Sequence, residues 1–287
     1  MTRTVQQGFI ELSNTLAPAY SEPENAAASI AVIERCLTSA FDMSYLAPYG
    51  STGHGTQIPG YSAIDSLAVV DNARLFKESS RSLETFREAL SSEFPDAVVT
   101  GGRPVVAVPF GDTPGEQHRI VPAYLKGSQG EYDIYGIPAP RDRWIGACPA
   151  GHSAWLNALN YELGQNLKPF VRVIKAWNHY NGEPLWSFYL ELCAADFLEK
   201  DSSIVYSVDV ESFFWYMLKR RLASFEDSHG CDEAVYGTAI ADKEAAKEKL
   251  LIAANLAKQA RTWEQRDNIS EAFYSWRKLF NWQFPAY

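Results

Sequence analysis

The residues best placed to do chemistry are Gly50-Ser51 and, after a short spacer, Ala63-Ile64-Asp65. A Gly-Ser turn ahead of a strand lets backbone amides approach a triphosphate, because glycine has no Cβ to hold the ligand off, and the serine hydroxyl adds a donor. The run Ala63–Val70 has the length and branching of a buried strand. On a strand, positions 63 and 65 share a side, so two carboxylates there could hold metal over the phosphates. Asp65 supplies one of them, and Ala63 supplies none.

Ahead of this motif, helical spacing of Ile30, Ile33, Leu37 and Phe41 predicts a helix from about Glu24 to Tyr45, with Pro23 near its start. It ends at the Gly-rich turn APYGSTGHG. A second amphipathic helix is expected from Asn72 to Phe94, followed by strands over Pro104–Phe110 and His118–Leu125. The Gly- and Pro-rich segment GSQGEYDIYGIPAPRDRW reads as surface loop. Beyond Pro149 the pattern becomes helical, over Ser153–Asn166, Pro169–Trp177, Ser187–Leu198, Val210–Ser224, Asp242–Gln265 and Ser270–Phe280. At about 150 residues per domain, the 287 residues suggest two lobes. The expected organisation is α+β: a mixed-sheet core over 1–150 with its N-terminal helix, a helical lobe over 151–287, and the active site in the cleft between them.

Composition narrows the function. Lys and Arg total 26 against 35 Asp and Glu, a net charge of −9, so the chain lacks the basic excess that grips duplex DNA by neutralising phosphates. Phosphate chemistry must then rest on local cations or on metal. Cys36, Cys148, Cys193 and Cys231 form no C-x-x-C pair and read as reduced thiols rather than a zinc site or disulfide framework. The N-terminal segment has no long apolar stretch and no apolar run approaches 18 residues, which points to a cytoplasmic protein without membrane insertion. His54 lies in the phosphate turn, where it could donate to a phosphate or merely be exposed. His152 precedes a helix and reads as structural, which leaves His118 as the histidine of first interest.

The turn and strand resemble the opening of the polymerase-β nucleotidyltransferases, and more narrowly the bacterial cGAS/DncV-like (SMODS-type) enzymes used in antiphage defence. The resemblance runs along nearly the whole chain, through GS…IDSLAVV, RIVPAY (Arg119–Tyr124), LKPFVRVIKAWN (Leu167–Asn178), PLWSFYLEL (Pro184–Leu192) and the closing block from Ala254 to Pro285. It implies in-line attack of a hydroxyl on the α-phosphate of a nucleoside or deoxynucleoside triphosphate. Two Mg²⁺ or Mn²⁺ ions would be held by Asp65 and a second Asp, and the product would be a short oligonucleotide, linear or cyclic. It also implies that Gly50, Ser51, Lys175 and Ser187 hold the triphosphate, and that an effector protein of a defence system reads the product.

Two departures stand out. The family pattern Ser-Asp-Ile-Asp reads here Ser62-Ala63-Ile64-Asp65, through natural loss or through an introduced Asp-to-Ala change, and the intact surroundings favour the latter. With Asp65 alone the metal pair is under-liganded, so this chain is expected to be catalytically crippled. Where the third family carboxylate belongs, the chain has Arg119 preceded by His118, and Glu116 sits nearby in a turn. The sequence closes on Phe284-Pro285-Ala286-Tyr287. One related branch, the Hailong-type enzymes, is understood to start a DNA chain on a C-terminal tyrosine, which makes Tyr287 a candidate primer. The alternatives are a cyclic di- or trinucleotide synthase and a nucleotide-binding pseudoenzyme that acts through a partner.

Overall fold

The computed structural model describes residues 3–18, 24–101, 104–113, 115–226, 234–235, 237–238 and 242–287. The chain begins with α1 (Val5–Thr15) and α2 (Glu24–Phe41), then β1 (Tyr45–Pro48), α3 (Gly50–His54), β2 (Ile64–Val69) and α4 (Ser79–Leu90). Five strands follow: β3 (Val98–Val99), β4 (Val106–Pro109), β5 (Gln117–Gln129), β6 (Tyr132–Ala139) and β7 (Arg143–Ala147). The remainder is α5 (Pro149–Glu162), α6 (Leu167–Tyr180), α7 (Ser187–Leu198), α8 (Tyr206–Lys219), a small pair β8 (Phe225–Glu226) and β9 (Ala234–Val235), α9 (Lys243–Gln265) and α10 (Ile269–Leu279). These elements form two compact units. Pro18–Trp155 contributes the first, and Met1–Ala17, Leu156–Glu226 and Ala234–Tyr287 contribute the second.

The first unit is built on a seven-stranded mixed sheet. Its central order is β1-β2-β5-β4-β3, with β6 on β5 and β7 on β6. β2 and β5 run parallel, which sets Asp65 opposite Arg119 and Ile64 opposite His118; the other pairings are antiparallel. Because side chains alternate along a strand, Ala68, Val106, Val108 and Ile120 face one way, onto Ile33 and Leu37 of α2 and Leu83, Phe86 and Leu90 of α4. Leu67, Val69, Val121 and Ala123 face the other way, with Ile137 and Ala147. Asp65 shares the parity of this second set.

Three local expectations are corrected. The helix expected to reach Tyr45 stops at Phe41, where Asp42 takes a left-handed φ of 54°. The chain then returns as β1, antiparallel to β2, which brings Tyr49 and Gly50 to the start of β2. The helix expected over 72–94 begins only at Ser79, after a 3-10 turn at Asn72–Arg74 capped by the Asp71 side chain. The supposed surface loop after Leu125 is instead β5 running on into β6 and β7. A two-residue turn at Gly130-Glu131 closes the hairpin, with Gly130 at φ 61°, and Tyr132, Ile134, Tyr135 and Ile137 supply the strand-forming side chains.

The second unit is helical and includes α1. That helix opens with a reciprocal capping box, Thr4 accepting from the Gln7 backbone and Gln7 from the Thr4 backbone, and buries Val5, Phe9 and Leu12 on one face. Phe9 stands at the centre of an aromatic cluster, 4.8 Å from Trp276, 4.9 Å from Phe284 and 5.5 Å from Tyr206 between ring centroids. Such packing ties the two ends of the chain together. Among the described residues Cys36, Cys148 and Cys193 carry free thiols, and Cys231 lies outside the described residues.

Candidate active site

The Gly-Ser turn is a short helix, α3, clamped onto β2. Tyr49 N–H donates to the Asp65 carbonyl at 3.0 Å, and Asp65 N–H donates to Thr52 Oγ1 at 3.1 Å. Gly50 adopts φ 54°, and a Cβ there would lie 3.1 Å from Asp65 Oδ2. Glycine at 50 is therefore required twice over, by its left-handed backbone and by the closeness of the carboxylate. Gly55, at φ 68°, ends the turn, and Thr56 N–H closes it onto the Ser51 carbonyl at 3.0 Å. The turn thus sets Gly50 against the Asp65 carboxylate, with Ser51 next in α3. Ala63 is buried just ahead of β2.

Sequence reasoning saw Arg119 only as a missing carboxylate. In the structure its Nε lies 2.6 Å from Asp65 Oδ1, and an Nη2 hydrogen is donated to Oδ2 at 2.8 Å. One hydrogen bond from Nη2 and a close ion-pair approach by Nε set the planar guanidinium side-on to the carboxylate. The pair arises from the parallel pairing of β2 and β5, in which Asp65 and Arg119 share a rung. The consequence for metal follows from the donors. Position 63 offers a methyl group, the charge of Asp65 is matched by Arg119, and no group of three His, Cys, Asp or Glu among the described residues is placed to hold an ion. As this chain stands, these residues do not fit a two-ion site.

His118 lies on the opposite face of the sheet from Asp65. It is 1% exposed, with Nε2 2.8 Å from Ser29 Oγ and 3.2 Å from the Ala26 carbonyl, and its ring packs on Phe110. Burial pushes its pKa below the usual histidine value, partly opposed by the Ala26 carbonyl. The ring joins α2 to β5. Glu116 folds back onto its own turn and accepts from Thr113 N–H at 3.0 Å, a bond that holds its carboxyl below the usual range. His54 and His152 are both buried, with ring centroids 6.0 Å apart.

In the helical unit, Lys175 and Glu191 form a buried ion pair at 2.6 Å, 5% and 1% exposed. Lys168 and Arg172 precede Lys175 on the same face of α6, at the one-turn spacing that stacks side chains. Burial, followed by the Arg172 charge, acts to lower the Lys168 pKa, and Glu191 opposes the shift. Ser187 opens α7 and is exposed.

The closing residues are docked rather than loose. Phe284 is 1% exposed among Phe9, Phe273, Trp276 and Phe280, and a Cβ on Gly8 would meet its ring at 2.9 Å. Arg3 donates to the Ala286 carbonyl and pairs with Glu11. Tyr287 lies beyond this anchor with its ring 5.3 Å from Phe273 and remains 54% exposed.

A mixed sheet carrying a Gly-Ser turn on a strand carboxylate, accompanied by a helical unit, is the polymerase-β-like fold. Residues 3–160 match the family described as the Second Messenger Oligonucleotide or Dinucleotide Synthetase domain, and the chain belongs to that family. Among solved structures it is similar to CdnC from E. coli MS115-1 with ATP, at TM-score 0.72 and 16% identity, covering 98% of this chain and 99% of that one. The complex of that CdnC with HORMA-deltaN matches at TM-score 0.67 and 16% identity, covering 98% of each chain. The Vibrio cholerae DncV cyclic AMP-GMP synthase, with a linear intermediate, matches at TM-score 0.64 and 13% identity, covering 98% of this chain and 86% of that one. A sequence search of curated proteins found none that matches. No helix among the described residues is long and apolar enough to cross a membrane.

Proposed function

We propose that the chain derives from a defence nucleotidyltransferase that builds a short oligonucleotide signal, with Asp rather than Ala at position 63 in its active form. A hydroxyl oxygen bonds to the α-phosphorus of a nucleoside or deoxynucleoside triphosphate, the bond from that phosphorus to the α–β bridging oxygen breaks, and pyrophosphate and a proton leave. The observation that carries this reading is Gly50 seated against the Asp65 carboxylate at the start of a buried strand, within a chain of the synthetase family. Gly50 and Ser51 would hold the triphosphate. The exposed Ser187 would supply a phosphate contact from the helical unit, and Lys175, buried in its pair with Glu191, would have to exchange that carboxylate for phosphate to supply another.

In this reading Tyr287 offers the first hydroxyl. Its exposure supports that role, and release of the Arg3 contact to the Ala286 carbonyl would leave three residues beyond Phe284, a reach of about 10 Å when extended. A tethered phenol also gains effective concentration over a free primer. The test is incubation of the Ala63→Asp protein with labelled nucleotides. Label in the protein band that disappears with Ala63→Asp/Tyr287→Phe supports priming on the tail, and equal labelling of both proteins contradicts it.

A second reading is favoured by the family description and by the likeness to a cyclic AMP-GMP synthase: a cyclic oligonucleotide product. Label would then appear in a small, phosphatase-resistant molecule. A third, a nucleotide-binding pseudoenzyme acting through a partner, is supported by Ala63 and the Asp65–Arg119 pair. The parental codon at position 63 separates it from the first two. Regulation or read-out by a second protein in the cytoplasm accords with the CdnC complex with HORMA-deltaN.

A further inference from the structure

We propose that Arg119 is the resident cation of this site, and that this chain binds a nucleoside triphosphate through it without a divalent ion. The inference rests on the nucleotide-binding reading above and concerns the charge at the centre of that site.

Asp65 brings one negative charge and Arg119 one positive charge, in two-point contact at 2.6 and 2.8 Å, so the rung where a divalent ion would need negative donors is neutral. A divalent ion entering here must displace a charge-assisted pair and then find a single carboxylate. The contact uses the Nε–Nη2 edge of the guanidinium. The described residues give Nη1 no further acceptor, and the Arg119 side chain keeps 28% of its surface exposed against 12% for Asp65. A guanidinium with one edge on a carboxylate and its outer side open is suited to a phosphate oxygen, because it is permanently charged and weakly hydrated. Asp65 then acts as a positioning residue. It fixes the guanidinium plane, while Thr52 and Tyr49 fix the Asp65 backbone next to the Gly50-Ser51 turn.

The experiment is calorimetric titration of the unaltered protein with each of the eight common ribo- and deoxyribonucleoside triphosphates, in EDTA and again in Mg²⁺. At least one should bind with affinities in the two buffers within about threefold, and Arg119→Ala should weaken its binding in EDTA by about tenfold to a hundredfold, the range of a charge-assisted hydrogen bond. Arg119→Lys, which keeps the charge and loses the fork, should retain part of it. Comparison of the two buffers needs no variant and so does not depend on how Arg119→Ala folds. Electron paramagnetic resonance of Mn²⁺ added to the protein alone should show the ion free. Binding that appears only with Mg²⁺ and survives Arg119→Ala overturns the role of Arg119 but leaves the nucleotidyltransferase reading standing. Mn²⁺ bound by the unaltered protein and released by Asp65→Asn overturns it equally. No binding of any triphosphate in either buffer overturns both.

Discussion

The Lys175 ammonium meets the Glu191 carboxylate at 2.6 Å in the interior of the helical unit, where the two side chains keep 5% and 1% of their surface. Desolvation of both charges is offset only while each has its partner. Glu191→Gln should therefore lower stability by about 3–5 kcal/mol, because it removes the carboxylate charge that balances a buried ammonium. The double change Lys175→Met/Glu191→Leu should recover most of that loss. Urea denaturation of the three proteins decides the matter: a double variant as weak as Glu191→Gln would mean that the pair is not the energetic unit.

His118 gives stability a pH dependence of known sign. Its folded pKa lies below the unfolded value of about 6.5, so the unfolded chain binds the extra proton first. The stability that comes from keeping the ring neutral is complete above that value and declines as pH falls from there toward the folded pKa. Replacing it with glutamine, which can still bond Ser29 Oγ or the Ala26 carbonyl, should flatten the slope of the urea midpoint below pH 6.5. An unchanged slope in His118→Gln would place the dependence elsewhere.

Phe284 and Gly8 hold the tail, and the space between them admits no side chain. Phe284→Ala should cost about 3–5 kcal/mol, the range for a buried aromatic ring. Gly8→Val should overpack the same contact by about 1–3 kcal/mol and loosen the last residues while α1 persists. Carboxypeptidase release of Tyr287, followed by mass spectrometry, should speed up in Gly8→Val with helical circular dichroism retained. The same release rate as the parent would show that Gly8 does not seat the tail.

The elements around the site were legible where one local signal dominated. Ala63–Val70 reads as a buried strand because its apolar run is interrupted only by Asp65 and Ser66, and Ser187–Leu198 is found as a helix with the bounds predicted. The β5–β6–β7 hairpins were obscured because Gly and Pro are counted as breakers, whereas cross-strand pairing of Leu125 with Tyr135 and of Ile137 with Ile145 decides the outcome. α1 carried a signal of its own, Thr4 and Gln7 at capping-box spacing, ahead of Val5, Phe9 and Leu12. The Gly50–Asp65 contact was foreseeable from motif order. The Asp65–Arg119 pair was not, because it depends on the register of two strands 54 residues apart in sequence. His118 shows the same limit: one residue along β5 moves a side chain from the face of Asp65 to the face of α2.

The central claim is that this fold is a nucleotidyltransferase whose chemistry is held back at position 63. Restoring the carboxylate, Ala63→Asp, changes the charge of the Asp65–Arg119 rung from zero to −1 and gives a divalent ion a reason to enter. The most direct measurement is mass spectrometry of Ala63→Asp, protein and solution together, after incubation with all ribo- and deoxyribonucleoside triphosphates and Mg²⁺. The account predicts nucleotide monophosphate increments on the protein, lost in Ala63→Asp/Tyr287→Phe; a free cyclic oligonucleotide would keep the enzyme class and move the product to the second reading. Release of no pyrophosphate, with no nucleotide added to protein or to any small molecule, would contradict it.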